Sequence, residues 1–291
     1  MTDADHLALR TQHLVDARAL AQELDTADAP TLFDVRFVLD GPAGRPAYLD
    51  AHLPGARYVD LPTDLAGEAS PGVGRRPLPD LAALQTTLRR LGLRWLSQPI
   101  VVYDDRQGLS AARAWWLLRW AGFTDVRLLD GGLRAWRDAG LPLVGGDVTA
   151  AQGDVVLRGD ALQQIDADAA ADIARQGVLI DARGSTAYTG ETKQADEPRA
   201  GHIPGAISLP TAGNLRADGT FLDARALRAR FGVAGVSAER PIGVYCGGGV
   251  TAAHEILALA SIGIPAALYV GSWSAWSHDQ ARAIATGDQP G

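Results

Sequence analysis

Of the 291 residues, one is cysteine, one is methionine and one, Lys193, is lysine. A lone cysteine excludes an intramolecular disulfide and a multi-cysteine zinc site. It fits a reducing, cytoplasmic setting, where a thiol stays usable. Positive charge is short as well: 27 Lys and Arg against 34 Asp and Glu leave a formal net charge of −7. Nucleic acid wants a basic surface, so no nucleic-acid partner is expected. A small anionic substrate would need a local positive field from a few arginines or helix N-termini. Long apolar runs are missing too. The most apolar stretch, 256–271, is interrupted by Gly263-Ile264-Pro265, short of the roughly 18 apolar residues that a spanning helix needs. Residues 1–10 are polar and partly acidic and lack the pattern of a secretory signal. No membrane association is expected. With 47% apolar and 21% charged residues, the composition is that of a folded chain, and the length suggests two domains.

What is present is a repeat. Four landmarks occur twice in the same order: Leu32-Phe33-Asp34-Val35-Arg36 with Leu179-Ile180-Asp181-Ala182-Arg183; His52-Leu53-Pro54-Gly55-Ala56 with His202-Ile203-Pro204-Gly205-Ala206; Ile100-Val101-Val102-Tyr103-Asp104 with Ile242-Gly243-Val244-Tyr245-Cys246; and Gly131 to Trp136 with Gly271 to Trp276. The copies lie between 140 and 150 residues apart. That spacing is far longer than the roughly 20–50 residues of a solenoid repeat, so a domain has been duplicated and each copy needs its own core. Residues 145–154, rich in Gly, Asp, Thr and Ala, read as the connector.

Within each half, short apolar runs alternate with helical spacing. The pattern predicts strands at 100–103 and 126–129 with helices at 81–91 and 110–120 in the first half. In the second it predicts strands at 178–180, 242–245 and 266–270 with helices at 224–231 and 251–260. On the last helix, Ile256, Leu257 and Ala260 would form one apolar face. Alternating strands and helices imply parallel sheets covered on both faces.

The cysteine sits where chemistry would need it. A buried-strand pattern ends at Tyr245, then come Cys246, three glycines (Gly247, Gly248, Gly249), Val250, and a helix opening at Thr251. Glycines allow positive φ and turn consecutive N–H groups inward to form an anion-binding nest. The helix N-terminus adds positive partial charge. Both effects stabilise a thiolate and an anionic persulfide. Without this context, a lone cysteine is more often a small buried hydrophobe.

On these residues the chain resembles the rhodanese family, in the tandem-domain form of the thiosulfate and 3-mercaptopyruvate sulfurtransferases. Tyr48-x-x-x-His52-Leu53-Pro54-Gly55-Ala56-x-x-Val59 matches the family's N-terminal signature. Tyr269 to Trp276 is similar to the C-terminal signature, departing at Val270 and Ala275, and the loop is similar to the family's Cys-Gly-Ser-Gly-Val-Thr. The resemblance implies an α/β fold of two tandem domains, each a mostly parallel sheet flanked by helices. Residues 8–145 would be a catalytically silent copy and 159–287 the catalytic one, with Asp104 standing where the second copy has Cys246. It further implies a persulfide on Cys246, sulfur taken from a small anionic donor, a thiol acceptor (a thioredoxin-like protein or a low-molecular-weight thiol) or cyanide, and no cofactor or metal.

By the same resemblance, backbone N–H groups of Gly247, Gly248, Gly249, Val250 and Thr251 would hold the anion, and Arg183 would meet the anionic end of the donor. The alternatives are a helix-start role for Thr251 and a structural ion pair for Arg183. Trp273 reads as core, with a pocket wall as the other reading. His52 and His202, kept in both copies although only one has a nucleophile, read as structural, and His254 as a helix residue. The chain has neither full donor signature: Gly247 and Gly248 carry no charge where thiosulfate-preferring members often have cationic residues, and two positions depart from the mercaptopyruvate type. Gly248 stands where mercaptopyruvate enzymes often carry serine, and Thr189 where some carry a second arginine. These departures motivate a sulfur-relay protein of low turnover as one rival reading. A rhodanese-fold phosphatase is the other, although the six-residue loop 246–251 contains no arginine to wrap a phosphate.

Overall fold

The computed structural model describes residues 3–38, 41 and 44–291. It contains two five-stranded sheets. The first is built from β1 (Leu14–Val15), β2 (Thr31–Asp34), β3 (Arg57–Tyr58), β4 (Ile100–Tyr103) and β5 (Val126–Leu129), in the order β1-β5-β4-β2-β3. The second uses β6 (Gln164–Ile165), β7 (Val178–Asp181), β8 (Ile207–Ser208), β9 (Ile242–Tyr245) and β10 (Ala267–Tyr269), in the order β6-β10-β9-β7-β8. The two orders are the same permutation, and every strand pair is parallel. The duplication read from the landmarks is therefore a duplication of topology.

The central strands explain the continuous apolar runs. All four residues of β4 and all four of β9 are buried, as expected for strands covered on both faces. Each predicted strand is present. The two-residue strands β1, β3, β6 and β8 escape the sequence pattern, because two residues carry no periodicity. The helices follow local rules. The Asp80 carboxylate accepts from Ala82 and Ala83 N–H, starting Leu81–Arg90, and Asp223 accepts from Ala226 N–H, starting Ala224–Val233. Leu84 with Leu88, and Leu227 with Phe231, bury one face of each. Each such side chain contributes about 1.5–3 kcal/mol of transfer free energy. The helix Thr251–Ala260 differs from its expected single apolar face: Ala252 to Leu259 are all buried, including His254 and Glu255.

The chain divides into two compact units that are not simple halves. One takes in residues through Gly67, then Leu78–Leu162 and Arg216–Phe221; the other holds Glu68–Pro77, Gln163–Leu215 and Leu222–Gly291. A short strip from each half of the sequence thus belongs with the other unit. Their cores are built alike. Leu32, Leu53, Ala56, Tyr103 and Trp136 cluster in the first, and Leu179, Ile203, Ala206, Tyr245 and Trp276 in the second. No helix among the described residues is long and apolar enough to cross a membrane.

Candidate active site

The strand-to-helix turn of the first unit shows what this turn can hold. Asp104 follows β4, is fully buried, and accepts four backbone N–H bonds. Arg106 and Gly108 donate to Oδ1, each at 2.8 Å, and Ser110 and Ala111 donate to Oδ2 at 2.8 and 2.9 Å. Burial pushes the Asp104 carboxyl up, while the four amides favour its charged form. The turn is an anion nest already filled, by a carboxylate tethered to the chain.

The second unit repeats this turn with a thiol at the same place. Cys246 follows β9, and the helix begins at Thr251 as the first unit's begins at Leu109. The third residue after the anionic position is left-handed in both copies, Gln107 at φ 62° and Gly249 at φ 75°. Helix entry differs: Gly108 is left-handed, while Val250 is right-handed at φ −92°. Cys246 is a free thiol and only 2% exposed. Thr251, part-exposed, is the first helical residue, and Val250 before it makes no side-chain cap.

The start of the helix Ser272–Trp276 packs under the loop and fixes it. Trp273 N–H donates to Cys246 O and Ser274 N–H to Gly247 O, both at 2.9 Å. In the first unit Leu133 N–H makes the equivalent bond to Asp104 O. There Gly132 has φ 58°, and a Cβ on it would fall 2.4 Å from Asp104 O. The equivalent residue here is Ser272, a non-glycine held at φ 52°. Its hydroxyl accepts from Cys246 N–H at 3.2 Å and donates to Tyr269 O at 2.9 Å. A left-handed non-glycine costs energy, and here it gives the cysteine's own N–H a partner.

The segment Gly74-Arg75-Arg76 also lies against the loop. Arg75 N–H donates to Ser274 Oγ at 2.9 Å. Its side chain makes a bidentate pair with Asp196, Nε to Oδ2 at 3.0 Å and Nη2 to Oδ1 at 2.6 Å, and reaches buried Glu197 at 3.3 Å. Asp196 is held below the ordinary carboxylate range, chiefly by its hydrogen bond from Arg75. A Cβ on Gly247 would sit 3.8 Å from Arg75 Nη1; one on Gly248 would sit 3.3 Å from Arg75 Cβ and 3.7 Å from Arg76 Nη1. A cleft of about 220 Å³ opens beside this segment, walled in part by Ser70, Gly74, Arg75, Asp196, Ser274 and His278; Cys246 does not line it.

These motifs and this geometry match known proteins. The rhodanese-like domain family matches residues 16–139 and 162–279. The chain belongs to the rhodanese-like family. A protein of Mycobacterium tuberculosis named "Putative thiosulfate sulfurtransferase SseB" is 44% identical over 281 residues, covering 96% of this chain and 98% of that one. One of Pseudomonas aeruginosa named "Probable 3-mercaptopyruvate sulfurtransferase" is 44% identical over 289 residues, covering 96% of this chain and 100% of that one. Among solved structures, the 3-mercaptopyruvate sulfotransferase SseA of Escherichia coli superposes with a TM-score of 0.79 at 33% identity, over 89% of this chain and 98% of that one.

Within this rhodanese-like chain the remaining candidate residues find their places. Arg183 donates through Nε and Nη2 to Asp181, and through Nη2 to Gly201 O. Arg36 makes the same pair with Asp34, donates from Nη2 to Ala51 O, and adds an Nη1 bond to Ala47 O. Burial opposes the Arg183 charge, the Asp181 carboxylate outweighs it, and the pKa stands raised. Because the pair recurs beside Asp104, it belongs to the fold of both units. Trp273 is fully buried in the core cluster, with the Arg183 guanidinium 4.8 Å above its ring. His52 and His202 bond through Nδ1 to Tyr48 O and Tyr188 O at 2.8 Å, and each stacks on that tyrosine. These are structural clasps, repeated like the Tyr48 and Tyr188 hydroxyls on Ala56 O and Ala206 O. His254 is buried and shares a 2.7 Å hydrogen bond with Thr211 Oγ. Thr189 is turned to its own segment, donating to Thr186 O. Among the described residues no group of three His, Cys, Asp or Glu side chains converges as metal ligands.

Arg75, Arg76, Asp196 and Glu197 were not legible as site residues. One signal was available. Four positions separate Tyr48 from His52 and fourteen separate Tyr188 from His202, so the second copy carries ten extra residues. That insertion holds both carboxylates that grip Arg75.

Proposed function

We propose that this chain moves sulfane sulfur from thiosulfate or 3-mercaptopyruvate, through a persulfide on Cys246, to a thiol or cyanide acceptor. The observation that carries the proposal is the pair of equivalent turns. One is plugged by the Asp104 carboxylate on four amides, and the other offers a thiol at the same position. A carboxylate in the nest cannot accept sulfur; a thiolate can, and the persulfide it becomes keeps a negative charge for the amides to hold.

With thiosulfate, the Cys246 thiolate attacks the outer sulfur, the new S–S bond forms, the old one breaks, and sulfite leaves with the bonding pair. With 3-mercaptopyruvate the C–S bond breaks instead, and the thiol proton ends on the departing carbon to give pyruvate. In the second step an acceptor thiolate or cyanide attacks the outer persulfide sulfur and Cys246 leaves as thiolate. In this reading the N–H groups of Gly247 to Thr251 stabilise the sulfur anion. A thiol acceptor and a reducing, cytoplasmic compartment fit a chain whose single cysteine must stay reduced between turnovers.

The test is a rate comparison with the two donors, alongside intact mass after donor treatment. Wild type should gain the mass of one sulfur atom, and Cys246→Ser should neither gain it nor transfer sulfur. Transfer by Cys246→Ser would overturn the mechanism. The low exposure of Cys246 and the departures at Gly248 and Thr189 favour a second reading, a relay protein. A stable adduct with negligible steady-state turnover would select it.

A further inference from the structure

We propose that residues 68–77 form a lid over the cysteine loop, latched by the Arg75–Asp196 ion pair and opened to admit donor and acceptor; this rests on the sulfurtransferase reading. Cys246 is only 2% exposed, yet that reading requires two molecules to reach its sulfur in turn. Two elements described above pack on residues 246–248. The helix Ser272–Trp276 cannot give way, because all five of its residues are buried. The segment 68–77 can. Residues 68–73 are exposed, and Arg75, Arg76 and Pro77 are half-buried. A Cβ on Gly67 would fall 2.7 Å from Leu78 O, so the residues flanking the segment meet, as the ends of an Ω-loop do. Its tip is closed on itself: Val73 and Gly74 N–H both donate to Ser70 O, at 3.2 and 2.8 Å. Such a loop moves as a unit, turning at its ends.

The closed position is built both for contact and for release. Gly74 has φ 94°, and a Cβ there would fall 2.5 Å from Gly271 O, while a Cβ on Gly248 would fall 3.3 Å from Arg75 Cβ. Glycine at 74 and 248 therefore lets the lid lie down on the loop. Arg75 supplies four hydrogen bonds to what lies beneath: its N–H to Ser274 Oγ, and side-chain bonds, two to Asp196 and one to Glu197. Asp196 is the weak point. Its side chain is 59% exposed, so water and salt compete for its part of the latch. The cleft of about 220 Å³ leaves the rest of the lid loosely seated, with walls from Ser70, Pro71 and Gly74 of the lid and from Asp196, Ser274 and His278 beside it. Both latch carboxylates come from the ten-residue insertion that only the copy with a nucleophile has. The other copy, its turn filled by Asp104, has nothing to admit.

The test uses the full-length protein and its single thiol. Alkylation of Cys246 by iodoacetamide, a neutral reagent, is followed by intact mass across pH. The plateau rate at high pH reports access, and the midpoint reports the thiolate. Asp196→Asn should raise the plateau by about fivefold, the size of a partly exposed ion pair. Raising salt from about 0.01 M to about 1 M should raise the plateau in wild type and leave that of Asp196→Asn in place. Hydrogen–deuterium exchange should quicken at 69–77 in Asp196→Asn and stay unchanged in β9. An unchanged plateau in Asp196→Asn would overturn the lid, as would a wild-type plateau indifferent to salt. So would a raised plateau without faster exchange at 69–77, which puts the opening elsewhere. If neither donor loads sulfur onto Cys246 but these results hold, the lid stands and the sulfurtransferase reading fails. If sulfur loads and the plateau does not move, the reading stands and the lid fails.

Discussion

Glu255, one turn into the helix after the cysteine loop, should make this protein less stable as pH rises through neutrality. The side chain is fully buried. Asn214 Nδ2 donates to its Oε2 at 2.7 Å, while Oε1 has no hydrogen-bond partner among the described residues. Burial carries the carboxyl from an ordinary 4.5 to about 7, against smaller opposing effects from Thr211, Arg230 and Asn214. The folded chain therefore holds a proton that the unfolded chain releases between those values. The contribution to stability is fully present below pH 4.5 and is lost as pH rises through 7. At about 1.4 kcal/mol per pH unit, the loss across that interval is about 3 kcal/mol. Urea denaturation at several pH values should show the decline in wild type, and Glu255→Gln, which mimics the protonated acid, should flatten it. Matching slopes in wild type and Glu255→Gln between pH 5 and 7 would refute the reasoning.

Two further perturbations probe the paired turns. Asp104→Asn is nearly isosteric but sets an NH₂ group against two of the four amides that now donate to the carboxylate; it should cost about 2–4 kcal/mol in chemical denaturation, and a neutral effect would contradict the filled-nest description. Ser272→Ala keeps the left-handed backbone and strands the Cys246 N–H, costing about 1–3 kcal/mol. Ser272→Gly loses the same bond but sheds the backbone strain, so it should melt above Ser272→Ala; the reverse order would remove strain from the account.

The parts legible in the sequence were those with a period or a repeat. The fully apolar strands β4 and β9, the capped helices at 81 and 224, and the Cys246 turn all declared themselves locally. The correspondence of Asp104 with Cys246 was legible because both follow the same buried run. Contacts that join distant residues were not. Nothing near Arg75 announces a pairing 121 residues away with Asp196, and a two-residue strand such as β3 is defined only by its neighbour. Arg183 shows the converse case. The resemblance pointed to the donor's anionic end, and the ion pair with Asp181, matched by that of Arg36 with Asp34, is the structural alternative that the motif also carries.

The strip 68–77 bears on how this protein can be dissected. Cutting between the sequence repeats would yield a second fragment that lacks Arg75 and Arg76. Glu197, 3% exposed in the intact chain, would lose its arginine partner. The first fragment would likewise lose residues 216–221, whose Phe221 N–H satisfies Asp130. The repeat boundary and the folding boundary are therefore different lines on the chain. A gene fragment drawn along the first would code for an incomplete copy, and one drawn along the second cannot be a single continuous stretch.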